Sequence, residues 1–244
     1  MNTTNDSRPT ISSRLDAAAV AVAALLPTAV TAVYFVALSE QPTWMQQTAW
    51  AAGKLVQFSF PLAWVLAVQQ NLPRMGRRWH AGLGAGAASG MLVLAAMLLV
   101  YHVWLGPAGT FDEPAQAMRE KLVNMGLDSP ARYLAFAGFL SVVHSLLEEY
   151  YYRWFVFGQM RRLLPRWPSI AISSLAFAAH HALVLAGFFG WASPLTWLGV
   201  AAVAVGGAYW AWLYERTGSL LGPWISHLLV DVAILAIGYE LVLV

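Results

Sequence analysis

The chain has 244 residues, of which 59% are hydrophobic and only 11% charged, and its mean hydropathy is +0.58. A soluble domain carries about 25% charged residues, so too little polar side chain is present to cover a water-exposed surface, and an integral membrane protein is expected. A net charge of +2, carried in short scattered loops, excludes a nucleic-acid-binding stripe, and the absence of cysteine excludes disulfides, thiolate metal sites and a cysteine nucleophile.

The predicted fold is all-α, a polytopic transmembrane helix bundle of about seven spans with room for an eighth helix. The first 14 residues are polar. The apolar stretch after them, 17–38, has 22 residues, longer than a signal-peptide core of about 7–15 residues, and reads as a retained span. The second span, 47–69, is interrupted by Lys54, Gln57 and Pro61. The third covers 81–105. The loop 106–131 follows, with a short amphipathic helix expected over Pro114–Met125. The fourth span, 132–158, is long enough to tilt. The last three are 169–188, 194–214 and 220–243. In the sixth, Gly199, Ala202 and Gly206 share a face and predict close helix contact. No repeat or linker divides the chain, so 1–244 reads as one integral-membrane domain.

Loop charge orients the spans. Arg8, Arg14, Arg74, Arg77, Arg78, Arg161, Arg162, Arg166 and Arg216 fall on one side. Arg119, Lys121 and Arg132 fall on the other, diluted by Asp112, Glu113, Glu120 and Asp128. The positive-inside rule then places the N-terminus in the cytoplasm and the C-terminus outside. Trp44, Trp79, Trp104, Trp191 and Trp224 lie near the predicted interfaces, as belt residues do.

Ionisable residues within spans cost at least about 2.5 kcal/mol each and usually face a bundle interior or a water cavity. Lys54 can snorkel, His102 lies near the outer interface and Glu240 near the end of its helix. The others are His144, Glu148, Glu149, Arg153, His180, His181, His227 and Asp231. Counted at about 1.5 Å per residue from the basic edge, the fourth, fifth and seventh spans carry theirs to one level. Glu149 and Arg153 are spaced i,i+4 and can pair. Glu148 is turned about 100° away with no basic residue one turn on. Two adjacent carboxylates in different surroundings predict different roles, one structural and one suited to general acid–base work. His227 and Asp231 are again i,i+4. Carboxylate and imidazole are ordinary zinc ligands, so Glu148, His181, His227 and Asp231 are also a candidate metal set, although no H-E-x-x-H is present. Tyr150–Tyr152 and Phe177 read as packing residues.

E-E-Y-Y-Y-R (148–153) fits E-E-x-x-x-R, F-A-A-H-H (177–181) fits F-x-x-x-H ending on His181, and H-L-L-V-D (227–231) fits H-x-x-x-N/D, preceded by R-T-G-S-L-L-G-P-W-I-S-H (216–227). In this order the motifs resemble the CPBP family of intramembrane proteases, which contains the Ras-converting CAAX endopeptidase and bacteriocin-processing proteins. The resemblance covers a core of about 130–235. It implies an intramembrane endopeptidase of glutamic type acting on a membrane-associated protein or peptide tail. By position, Glu148 would activate water with His181, and Glu149 and Arg153 would pair to hold the helix. His227 and Asp231 would stabilise an oxyanion from the opposite wall. Asp231 stands where eukaryotic CAAX proteases have asparagine, and an ionised aspartate cannot donate to an oxyanion. Metal-free catalysis is the favoured reading, with zinc on Glu148, His181 and His227 as the minor one. The short polar N-terminus is similar to that of a bacterial member, which implies the cytoplasmic membrane. The rival functions are a non-proteolytic scaffold or immunity protein of the same fold and a proton-coupled transporter. A rhomboid-type serine protease lacks its motif here.

Overall fold

The computed structural model describes residues 11–69 and 79–244. Arg8, Arg74, Arg77 and Arg78, used above for orientation, lie outside the described residues. Among the described residues, seven helices are long and apolar enough to cross a membrane. They are α1 (Arg14–Ala37), α2 (Thr43–Gln69), α3 (Leu83–Leu105), α5 (Pro130–Leu163), α6 (Arg166–Phe189), α7 (Pro194–Thr217) and α8 (Leu221–Leu243). The short helix α4 (Asp112–Asn124) fills the predicted place between α3 and α5. Local chemistry sets several ends. Pro130 and Pro194 occupy first-turn positions, where a missing N–H costs nothing. Ser193 Oγ accepts the Leu195 N–H at 3.3 Å. Gly218 ends α7 at φ +65°, a conformation that glycine adopts without strain.

The bundle is built around α5. Between Tyr151 and Phe157 every residue except Trp154 is buried, so this stretch contacts helices on all sides. Tyr151, Tyr152, Phe155, Val156 and Met160 pack with Val20 and Ala23 of α1, Val65 of α2, Phe177 of α6 and Trp210 of α7. Large apolar side chains such as Leu25, Leu55, Leu92, Leu198 and Val205 point outward, as expected where lipid replaces water.

Small residues let α3 and α8 pack closely. α3 and α8 run parallel, and a Cβ on Gly86 would lie 2.0 Å from the Gly222 carbonyl oxygen. One turn on, a Cβ on Gly90 would lie 3.0 Å from Ser226 Cα, and Ser89 and Ser226 share a hydroxyl hydrogen bond of 3.2 Å. The close contact expected in α7 is shifted by one residue. Gly199 does meet Leu185 of α6, at 2.8 Å from a built Cβ, but Ala202 is exposed and Gly206 meets only Trp210 of its own helix. Gly207 makes the deeper approach, against Phe177 and Ser174 of α6.

The two ends of the bundle differ. At one end α4 is tied down by Arg119, whose Nε and Nη2 donate to the Val242 and Leu241 carbonyls at 3.2 Å, using acceptors that a helix end leaves free. At the other end Asp16, Trp64, Gln69, Gln159 and Arg162 join α1, α2 and α5 in a polar cluster. Arg161 pairs with Glu215 there at 3.0 Å. Trp44, Trp79, Trp104 and Trp191 are exposed, whereas Trp224 donates to the Val142 carbonyl of α5 at 3.0 Å.

Candidate active site

The residues predicted to share a level meet where α5, α6, α7 and α8 converge. Glu149, Arg153 and His227 are all buried. Glu149 is the hub. Its Oε1 accepts from His227 Nδ1 at 2.8 Å, and its Oε2 lies 3.1 Å from Arg153 Nε, an ion-pair contact without hydrogen-bond alignment. Arg153 is otherwise held by aromatic faces. Its guanidinium carbon lies 4.7 Å from the Phe177 ring centre and 5.2 Å from that of Trp210. Such stacking suits a planar, weakly hydrated cation. Its Nη2 reaches the Gly207 carbonyl at 3.4 Å. A Cβ at position 207 would crowd Phe177 and Ser174, which explains why glycine stands there.

Glu148 is differently placed. Its carboxylate faces three imidazoles from three helices: His180 Nε2 at 3.5 Å, His144 Nε2 at 3.7 Å and His227 Nε2 at 3.8 Å. These separations are electrostatic contacts at or beyond the limit of a hydrogen bond. The two adjacent carboxylates therefore do have different surroundings, one saturated at short range and one not.

The histidines are oriented by their other nitrogens. A carboxylate and a carbonyl only accept, so His227 Nδ1 and His181 Nδ1 both carry protons. The first donates to Glu149, and the second to the Phe177 carbonyl of its own helix at 2.9 Å. Both Nε2 atoms remain for chemistry. His227 Nε2 lies between Glu148 and Asp231 Oδ1, the latter at 3.7 Å. Its ring stacks on Trp210 at 4.2 Å with planes 16° apart. His180 Nδ1 shares a 3.1 Å hydrogen bond with the Tyr152 hydroxyl.

The structure thus gathers Glu148, Glu149, Arg153, His227 and Asp231 into one cluster. His181 sits beside it, its ring 4.1 Å from that of His180, but no ion-pair contact with Glu148 is formed. His180 makes that contact instead. Tyr152, Trp210 and Gly207 were not picked out from sequence as site residues; Trp210 and Gly207 hold His227 and Arg153 of the cluster, and Tyr152 holds His180 beside it. Among the described residues, no three His, Asp or Glu side chains are arranged to hold a metal ion. Of the proposed zinc set, Glu148 and His227 are 3.8 Å apart and His181 is not joined to Glu148. No step below is routed through a metal.

Residues 130–233 match the family model described as type II CAAX prenyl endopeptidase, Rce1-like. The matched stretch contains every residue of the cluster. The match supports the CPBP family and a CAAX-type intramembrane endopeptidase. None of the curated proteins and none of the solved structures compared matches the chain.

Proposed function

From this family match we propose that the chain is an intramembrane endopeptidase that cleaves a membrane-associated protein or peptide tail with water activated by Glu148. The observation that carries the reading is the Glu148 carboxylate. It is buried, faces imidazole nitrogens from three helices, and is bound tightly by none of them. In that position it can take a proton from water as the oxygen attacks the scissile carbonyl, and return it to the leaving amine. His181, with its proton fixed on Nδ1, offers Nε2 as an acceptor that orients the water. His180 and His144 hold Glu148 in place.

The carbonyl oxygen becomes an oxyanion as the tetrahedral intermediate forms. With Nδ1–H committed to Glu149, His227 donates to that oxyanion from Nε2 as the imidazolium. Asp231, Glu149 and Glu148 supply the negative charge around it. Asp231 lies 3.7 Å from the same Nε2 and steadies the imidazolium by its charge, not by a hydrogen bond, since that N–H goes to the oxyanion. Glu149 and Arg153 touch no reacting atom in this scheme and position His227. The chain is then an integral protein of the bacterial cytoplasmic membrane, with the basic end of the bundle and the N-terminus on the cytoplasmic side.

The test compares membrane-protein termini by mass spectrometry in cells making the wild type or Glu148→Gln at equal folded levels. New termini with the wild type alone are the expected result. Identical termini would overturn the proposal and favour a scaffold of the same fold.

A further inference from the structure

The end of the bundle that carries α4 holds a polar cavity of about 230 Å³. Its lining residues all lie outside the family-matched segment, and the scheme above uses none of them. Its walls are Tyr34 near the end of α1, Thr43 and Gln46 in the first turn of α2, and Glu120, Lys121 and Asn124 on one side of α4. As spans, α1 ends at Ala37 and α2 begins at Thr43, so the cavity sits where both leave the apolar layer, at the depth of lipid headgroups. Trp44, next to Thr43, is exposed at this level, as interfacial tryptophans are.

The walls are built rather than loose. Gln46 is buried, and its Nε2 donates to the Gln41 and Ser39 carbonyls at 2.8 and 3.2 Å. Lys121 Nζ donates to Gln46 Oε1 at 3.3 Å and lies 4.3 Å from the ring centre of the buried Tyr34. A lysine serving solubility alone extends into water; this one is drawn in over an aromatic face. Glu120 accepts only from Gln116 of its own helix, at 3.3 Å. Among the described residues neither Lys121 nor Glu120 joins an ion pair, and the Thr43 and Asn124 side chains make no hydrogen bond, although all four line one space.

We propose that this cavity binds the phosphoethanolamine group of a phospholipid in the adjoining leaflet. The phosphate accepts from Lys121 Nζ and the Thr43 hydroxyl, and the primary ammonium donates to the Glu120 carboxylate and the Asn124 side-chain oxygen. One cation and one anion in the same cavity match a zwitterion, whereas an anionic headgroup leaves Glu120 facing like charge. A choline group has no N–H to give to Glu120 and Asn124, and the Tyr34 face that could hold it is covered by Lys121. The bound lipid bridges α4 to the start of α2. The site is independent of the endopeptidase reading.

The experiment titrates the delipidated full chain in detergent with phosphatidylethanolamine, phosphatidylcholine and phosphatidylglycerol of identical acyl chains, and with water-soluble glycerophosphoethanolamine, and reads binding by native mass spectrometry. Wild-type, Glu120→Gln, Lys121→Gln and Lys121→Arg proteins are compared after size-exclusion chromatography has shown each to be folded. The expected result is that the wild type binds phosphatidylethanolamine about tenfold more tightly than either other lipid, the value of one charge-assisted hydrogen bond. Glu120→Gln abolishes that preference, Lys121→Gln weakens all three lipids about tenfold, and Lys121→Arg keeps both affinity and preference. Glu120 is exposed and outside the bundle core, so its variant carries the test alone if Lys121→Gln does not fold. Equal binding of the three lipids, or a preference that survives Glu120→Gln, overturns the site. Binding of glycerophosphoethanolamine as tight as that of the lipid assigns the cavity to a water-soluble ligand and overturns the lipid.

Discussion

Replacing Glu149 with glutamine tests the centre of the site. The side chain is fully buried and serves two partners at once, accepting from His227 Nδ1 at 2.8 Å and pairing in charge with Arg153 Nε at 3.1 Å. An amide has one acceptor oxygen, so it can face one of them and must present its NH₂ to the other. Arg153 is then a buried cation without a counter-charge. Breaking a buried pair in this way costs about 3–5 kcal/mol, a fall in Tm on the order of 10 °C for a chain of this length. The 12 tryptophans, Trp210 against His227 among them, make intrinsic fluorescence of the detergent-solubilised protein a direct assay. The double variant Glu149→Gln/Arg153→Met removes the orphaned charge and fills its place among Phe177, Trp210 and Tyr152. It should regain most of the lost stability, because removing both charges relieves the penalty of leaving one. It should not regain activity, because His227 stays without its anionic partner. A Glu149→Gln protein as stable as the wild type would refute the reasoning, and so would a double variant no more stable than the single one.

The remaining predictions are narrower. Tyr152→Phe removes only the hydroxyl that meets His180 Nδ1, and should lower kcat about 5- to 10-fold with little change in KM, the value of one net hydrogen bond. His180→Ala should lower kcat further, and rates of both variants on a cleaved peptide check the order. Asp231→Asn should keep activity within about tenfold of wild type, since the amide keeps the carboxylate's shape 3.7 Å from His227 Nε2 and its NH₂ can donate to an oxyanion, whereas Asp231→Ala should lose more than that. Gly86→Ala places a Cβ 2.0 Å from the Gly222 carbonyl oxygen, a backbone clash between α3 and α8. It should cut the folded yield in size-exclusion chromatography severely, with Gly84→Ala, which meets nothing within 4 Å, as the matched control.

Much of this was legible in the sequence. Seven apolar runs gave seven spans because hydropathy and the thickness of the bilayer act on each segment separately. The Glu149–Arg153 pair followed from i,i+4 spacing, which also depends on one helix alone. What required the fold was the rotation of one helix against another. His180 and His181 are 100° apart on α6, and spacing cannot say which one turns towards α5. The contact of Phe177 with Gly207 and Arg153 sets that rotation and brings His180 to Glu148. For Lys54 too the sequence does not fix direction; its ammonium lies over the Trp50 and Phe58 rings, 4.7 and 5.5 Å from their centres. The α3–α8 contact did have a signal, because Gly82, Gly86 and Gly90 repeat at intervals of four, the small-residue pattern of close helix pairs.

The adjacency of Glu148 and Glu149 has a physical logic of its own. A carboxylate that turns over must release its partners in every cycle, so it cannot be held by short hydrogen bonds to fixed groups. A carboxylate that positions a histidine must do the opposite and keep its partners throughout. Consecutive residues on a helix differ by about 100° in direction, so one backbone segment can aim one carboxylate at Arg153 and His227 and the other at a looser ring of imidazoles. Contacts of 2.8 and 3.1 Å at Glu149 against 3.5–3.8 Å at Glu148 divide the two duties in this order. The same division explains why α5 is enclosed on all sides. Only a helix with neighbours all round can give two adjacent side chains two different environments, and α1 and α2 supply the side that the family-matched segment lacks.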